Sequence, residues 1–474
     1  MTAPSNTRPG IAVGGMRGGS GKTVLSLGLI RALSRRGLSV APFKKGPDYI
    51  DPSWLSAAAG APCYNLDLYL LDRDENLRSF REANPSAEWA VVEGNRGLFD
   101  GLDAEGSASF AELVKLLGIP LVLVVDCSKS SRTVAALVRG CETFDPGVRI
   151  AGIVLNQVAG ERHCRTVSEA IARYCSTPVV GALPRMADLT LDERRLGIVP
   201  AAEHGGPDAV IERLADAVEK HVDLDAIMRL ATAWPRPAPP RETPAAKEPG
   251  NARRAVRRVG VVRDAAFHFY YAENLDALAR LGAEIVFINS LADPAPPAVD
   301  AIYIGGGFPE HFAGALGWNA AFRGALKRLI RAGMPVYAEC GGLIYLSEAI
   351  TAGGRKHPMT GIFPLEFEIA DRPVGHGYTL FEVDGVNPFY RIGTTARGHE
   401  FRYARILNPE AAAGVRTVLA MRRGTGVGGG RDGMLVNNCL AVFSHTHAGS
   451  AGVEWIASLA GMAPAITTAS GAPR

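Results

Sequence analysis

The chain has 474 residues, of which 47% are hydrophobic and 21% charged, and its formal net charge is +3. That length exceeds one ordinary core and implies two or three domains of roughly 100–200 residues each. So small a net charge gives no electrostatic footing for a nucleic-acid partner. The opening MTAPSNTRPG has no apolar segment of the kind a secretory signal needs, and no apolar run approaches the ~20 residues of a membrane helix. Cysteines at 63, 127, 141, 164, 175, 340 and 439 show no CxxC spacing, which argues against a disulfide framework or a structural zinc site. A cytoplasmic protein with no membrane contact is expected.

The first strand-like run, Ile11–Gly15, opens into MRGGSGKTVLSLGLIRAL. In this strand, loop and helix order, Gly18, Gly19 and Gly21 let backbone N–H groups crowd around phosphate oxygens. Lys22 reaches the β- and γ-phosphates, Thr23 ligates Mg²⁺, and the helix N-terminus favours the anion. Met16 stands where the standard GxxxxGK[ST] spacing has its first glycine, and RGGSGKT is similar to the variant loop of the partition-ATPase and dethiobiotin-synthetase group. FKKGPDYIDP (43–52) then supplies Lys44, Asp48 and Asp51 around a Gly46-Pro47 loop. A strand over Trp89–Val92 leads into VVEGNRGLFDG, with Glu93 directly after the strand and Asp100 in the loop beyond. Phosphoryl transfer needs carboxylates for Mg²⁺ and cations for the moving charge. Each acid alone reads as readily as a cap or turn residue; together, following a phosphate loop, they point to ATP chemistry.

Further strands at 120–125, 150–155 (followed by Asn156) and 178–182 alternate with helical stretches, so residues 8–232 read as a doubly wound, mostly parallel α/β sheet domain. The proline- and alanine-rich stretch over 233–257 reads as a linker. Strands at 258–262, 284–288, 301–304 and 335–338, with helices at 272–281 and 310–331, give a second α/β domain over 258–465. There, MPVYAECGGLIYL reads as a strand, a sharp turn and a helix with Cys340 at the turn. The glycines after it permit an exposed sulfur and free N–H groups for an oxyanion. GGGFPEHF (305–312) offers a second glycine turn, and FSHTHAG supplies His445 and His447, the distant histidines expected for thiol acyl transfer.

FKKGPDYIDP, Asn65–Asp67 and EGNRGLFDG resemble the cobyrinate a,c-diamide synthase family, over nearly the whole chain outside the linker. GGGFPE, AECGG and HxH resemble its triad-type glutamine amidotransferase domain, class I in type. The resemblance implies that Asp48, Asp51 and Asp100 act in catalysis, that Thr23, Asp48 and Glu93 hold Mg²⁺, and that Lys44 and Asn156 contact ATP, Asn156 at the adenine. It makes Cys340 the nucleophile and His445 the base. The third triad member stays open, because His447 stands where an acid usually ends the triad. The implied reaction uses ATP, glutamine and a tetrapyrrole-derived polycarboxylate, which is amidated on its a and c acetates through an acyl phosphate; a homodimer is carried as the expected assembly. Segments 262–275 and 398–405 also match family motifs and read as domain-interface or substrate-side loops. Lys45, Arg96, Arg195 and Arg402 depart from the family pattern and suit a substrate richer in free carboxylates. Amidation of sirohaem or nickel-sirohydrochlorin is therefore kept as an alternative. A partition-type switch ATPase would leave the Cys340 elbow unexplained.

Overall fold

Buried runs of aliphatic residues build the first sheet of the computed structural model, in which residues 7–186, 193–194, 197–235, 256–450 and 452–462 are described. β1 (Thr7–Gly15), β2 (Val40–Lys45), β3 (Tyr64–Leu66), β4 (Trp89–Glu93), β5 (Leu121–Asp126), β6 (Ile150–Val158) and β7 (Val179–Pro184) lie in the order β3-β2-β4-β1-β5-β6-β7. Every pairing along that path is parallel. Leu121 through Val125 are all buried, as strands covered by helices on both faces must be. α1 (Lys22–Arg35) packs Leu25, Leu29 and Leu33 into the same core as Trp54 and Leu55 of α2 (Ile50–Ala59). The chain leaves β1 toward β2 on one side and returns to β5 on the other, so a crevice opens at the carboxyl end of β1.

Residues 233–235, read from their composition as linker, instead belong to β8 (Thr232–Pro235), which pairs antiparallel with Thr7–Gly10 of β1. Backbone hydrogen bonding to the first strand overrides the proline-rich composition there. The rest of that stretch up to 255, and Arg195, lie outside the described residues. The chain divides into two compact units between Lys247 and Glu248.

The second unit is built on β9 (Arg258–Val262), β10 (Glu284–Ile288), β11 (Ala301–Ile304), β12 (Val336–Glu339), β13 (Gly375–Val383), β14 (Thr395–Arg402), β15 (Thr417–Arg423), β16 (Arg431–Val436), β17 (Cys439–Val442) and β18 (His445–Thr446). They form one sheet in the order β10-β9-β11-β12-β17-β16-β15-β13-β14-β18. Pairing is parallel from β10 to β17 and antiparallel beyond. The single helix expected over 310–331 is two, Ala313–Trp318 and Ala320–Arg331. Asn319 divides them, because its side chain caps the second by accepting from the Phe322 N–H. Among the described residues no helix is long and apolar enough to cross a membrane.

Candidate active sites

The phosphate loop turns at Gly19 and Gly21, with φ of +72° and +94°. A side chain at Gly21 would run into the amide of Asn156, which stands in β6 and donates from Nδ2 to the Ser20 carbonyl at 3.0 Å. The residue that the resemblance gives to adenine recognition therefore also braces the phosphate loop. Lys22 is buried, and its Nζ donates to the carbonyls of Arg17 at 3.0 Å and Arg96 at 2.9 Å. It thus ties the phosphate loop to the loop after β4. Burial, helped by Lys44 and opposed by Glu93, Asp51 and Asp100, pushes Lys22 down to about 8. Asp100 lies exposed on this second loop and accepts from the Gly97 N–H at 2.9 Å.

Beside the loop, one lysine gathers three carboxylates. Lys44 Nζ contacts Asp51, lies 2.6 Å from Glu93 Oε1 and 3.8 Å from Asp48 Oδ2, and donates to the Gly94 carbonyl at 3.2 Å. Burial opposes its charge, yet Asp51, Glu93 and Asp48 together hold Lys44 above its ordinary range. Burial and the neighbouring Asp51 push Asp48 up to about 7. Burial would raise Asp51, which is half-buried, but Lys44 wins and lowers it; Glu93, fully buried, is raised. The parallel register of β2 with β4 sets Lys44 opposite Glu93, and Asp48 Oδ1 accepts from the Ile50 N–H at 2.9 Å, fixing the start of α2.

Among the described residues no three His, Cys, Asp or Glu side chains converge as a ready metal cage. The donor set nonetheless fits Mg²⁺ with phosphates completing its shell. The Thr23 hydroxyl lies 3.0 Å from Glu93 Oε1, and Glu93 Oε2 is buried without a hydrogen bond.

In the second unit, Cys340 closes β12 with φ +47° and ψ −99°, a costly conformation for a residue with a Cβ. Its N–H donates to the Val442 carbonyl at 2.7 Å. Gly306 and Gly341 permit close approach: a Cβ on Gly306 would lie 2.5 Å from His445 Cε1, and one on Gly341 3.1 Å from the Gly307 nitrogen. The two glycine turns therefore meet at the elbow, as their sequence implied. The Cys340 thiol lies close enough to His445 to support a charge on the imidazole. Its Nδ1 lies 3.4 Å from Oε2 of Glu339, the residue before the nucleophile. Glu339 is fixed by the Tyr303 hydroxyl at 2.8 Å and the Thr446 N–H at 3.1 Å. Burial opposes a charge on His445, but Cys340 and Glu339 outweigh it and push the imidazole up to about 10.

Glu339 stands where an orienting acid for His445 would stand, and its signal in the sequence is the acid directly before the elbow cysteine. His447 is not the orienting member. Its Nε2 lies 3.3 Å from Glu273 Oε1, and its Nδ1 accepts from the Gly449 N–H at 3.0 Å. Asp432 was also missed: it accepts from the N–H groups of Phe443 and Ser444 at 3.0 and 3.1 Å and so sets the strand that carries His445.

Segments 262–275 and 398–405, expected as interface or substrate-side loops, contribute Tyr271, Asn274, His399 and Arg402 to this interior. Asn274 donates to the Thr446 carbonyl at 2.9 Å and accepts from the Ala448 N–H at 2.7 Å. His399 stacks on His445 with centroids 5.1 Å apart and meets the Tyr271 hydroxyl at 3.2 Å. Arg402, expected to face the macrocycle, is buried here. It donates to the Ala404 and Gly426 carbonyls at 2.6 and 2.5 Å and lies 3.8 Å over the Phe443 ring. Those contacts commit the guanidinium to the glutaminase interior.

Glu339→Gln keeps the shape and removes the charge that supports the His445 imidazolium. We expect glutamine hydrolysis to fall by about a hundredfold. Because His445 is held charged up to about 10, losing Glu339 should also bring the alkaline limb of kcat/KM to lower pH. A pH–rate profile of glutamate release checks both; an unchanged profile removes Glu339 from the triad.

A cysteine at a strand–turn–helix elbow with a histidine and a glutamate beside it in one unit, and a glycine-rich loop ringed by carboxylates in the other, fit a glutamine-hydrolysing, ATP-consuming carbon–nitrogen ligase. The CobQ/CobB/MinD/ParA nucleotide binding domain matches residues 11–198, and the CobB/CobQ-like glutamine amidotransferase domain matches 258–453. The chain is 43% identical to the cobyrinate a,c-diamide synthase of Magnetococcus marinus, covering 95% of this chain and 96% of that one. It is 38% identical to the cobyrinate a,c-diamide synthase of Archaeoglobus fulgidus, over 93% and 94%. With the hydrogenobyrinate a,c-diamide synthase of Brucella abortus it shares 41% identity, over 92% and 98%. The chain belongs to the cobyrinate a,c-diamide synthase family.

Proposed function

We propose that this protein converts the a and c acetate carboxylates of a cobyrinate-type macrocycle to amides, with ATP and glutamine as co-substrates. The observation that carries the reading is the Lys44-centred carboxylate cluster beside the phosphate loop, on a chain that also pairs His445 with Glu339 next to the Cys340 elbow.

The loop backbone and Lys22 hold the ATP phosphates while a substrate carboxylate attacks the γ-phosphorus, releasing ADP and leaving an acyl phosphate. Thr23, Asp48 and Glu93 would hold Mg²⁺, which supplies charge neutralisation at the phosphates. Lys44 and Asp51 keep the carboxylates in place, Asp100 fixes the loop against Lys22, and Asn156 supports the nucleotide loop. In the other unit Cys340 attacks the glutamine amide carbon, His445 gives its proton to the departing ammonia, and water hydrolyses the thioester to glutamate. Ammonia then attacks the acyl phosphate and displaces phosphate.

The sirohaem and nickel-sirohydrochlorin alternatives leaned on four cations. Arg402 is committed within the glutaminase interior, and the relatives matched over nearly the full length are named cobyrinate and hydrogenobyrinate a,c-diamide synthases, so a cobyrinate-type substrate is the better supported. All seven cysteines are free, which suits the cytoplasm. Product analysis with amide-labelled glutamine tests the function: labelled nitrogen should enter the macrocycle only when ATP is present.

A further inference from the structure

Lys44 and Lys45 are consecutive, equally buried and treated oppositely by the fold. Lys45 ends β2, and its side chain leaves the face opposite that of Lys44. It is only 5% exposed, yet it makes no hydrogen bond and no ion pair with any described residue. Burying a cation without a partner is costly, so a fold that keeps one generally reserves it for a ligand. The carboxylate that acts on it most strongly is Asp67, but Asp67 Oδ1 already accepts from the N–H groups of Tyr69 and Leu70, each at 2.8 Å.

The neighbouring loop adds positive charge to this place, not negative. Asn95 Nδ2 lies 2.8 Å from where a Cβ on Gly46 would stand, so the loop after β4 packs against the end of β2. The next residue, Arg96, has φ +44°, and its carbonyl is held by Lys22. Its side chain is exposed and has no hydrogen bond or ion pair to any described residue. Burial first, then Arg96 and Lys44, push the Lys45 ammonium down, and an arriving anion would reverse that.

We propose that Lys45 and Arg96 form a carboxylate subsite at the carboxyl end of β2, one that grips a peripheral carboxylate of the macrocycle while another is activated beside Lys44. This rests on the proposed function and deepens it, making these two residues specificity determinants for a polycarboxylate. The nucleotide phosphates have their own cations at the end of β1, with β4 between.

The test compares wild type, Lys45→Met and Arg96→Met by equilibrium binding of cobyrinate, followed by its absorbance, and by the KM values for cobyrinate and ATP. Losing one charge-assisted contact should weaken cobyrinate binding and raise its KM by about tenfold in either variant. The KM for ATP should move by less than about twofold, and Lys45→Met should melt no lower than wild type, since it removes an unpartnered buried charge. If Lys45→Met melts lower, Arg96→Met decides alone, because its side chain is exposed. Cobyrinate binding unchanged in both variants, or in Arg96→Met in that case, overturns the subsite. So does an equal rise in the KM for ATP, which would make it a phosphate site. A wild type that binds cobyrinate without amidating it sinks the proposed function and leaves the subsite to be judged by binding.

Discussion

Cys340→Ala should lose amidation from glutamine by about four orders of magnitude, yet keep amidation from ammonium within about twofold. The thiol is the only group at the elbow able to form the thioester, and His445 and Glu339 have nothing to activate without it. None of the residues around Lys44 belongs to the unit that holds Cys340, so supplied ammonium should bypass the loss. The positive φ at Cys340 is a strain that the protein tolerates for the sake of the nucleophile. A rate measured with saturating ammonium chloride decides the matter. Parallel loss of both activities would mean that the thiol also serves the synthetase chemistry.

Lys22→Ala should lower ATP-dependent amidation by about a thousandfold from either nitrogen source, a typical effect of removing a preorganised charge from a phosphoryl-transfer site. Lys22 spans two loops through its bonds to Arg17 and Arg96, so the variant could also loosen them. Against that, Lys22 is a buried cation pushed down to about 8, and removing it relieves a desolvation cost. The melting temperature should therefore stay near that of wild type while ATP turnover collapses. Normal ATP turnover in Lys22→Ala would place the nucleotide elsewhere.

What the sequence made legible were the features with short-range signatures. The phosphate loop and the cysteine elbow both need glycines at fixed offsets from one reactive side chain, and both stand at strand ends as their patterns imply. The carboxylates were legible as residues but not as a cluster, because the register of β2 with β4 that brings Lys44 to Glu93 is a long-range fact. The antiparallel half of the second sheet was not foreseen. Gly375–Val383 and Thr395–Arg402 carry glycine and charge, and their pairing supplies what propensity does not. Arg402 shows the limit of reading departures from a family pattern. Such a departure records a charge, but burial over Phe443 and bonds to two carbonyls decide what that charge does. Lys45, one departure among four in the sequence, gains its meaning from having no such partners.

The central claim is that one chain moves nitrogen from glutamine to two macrocycle carboxylates at the expense of ATP. Its most direct test is mass spectrometry of cobyrinate incubated with the protein, ATP and amide-¹⁵N-glutamine. The account predicts successive mono- and diamide products, each new amide carrying the label, with glutamate and ADP formed alongside and no product when ATP is withheld. Glutamate release and ATP hydrolysis without labelled amide on cobyrinate, in a preparation that amidates a different carboxylate, would contradict the substrate assignment. Failure to amidate any carboxylate would contradict the account as a whole.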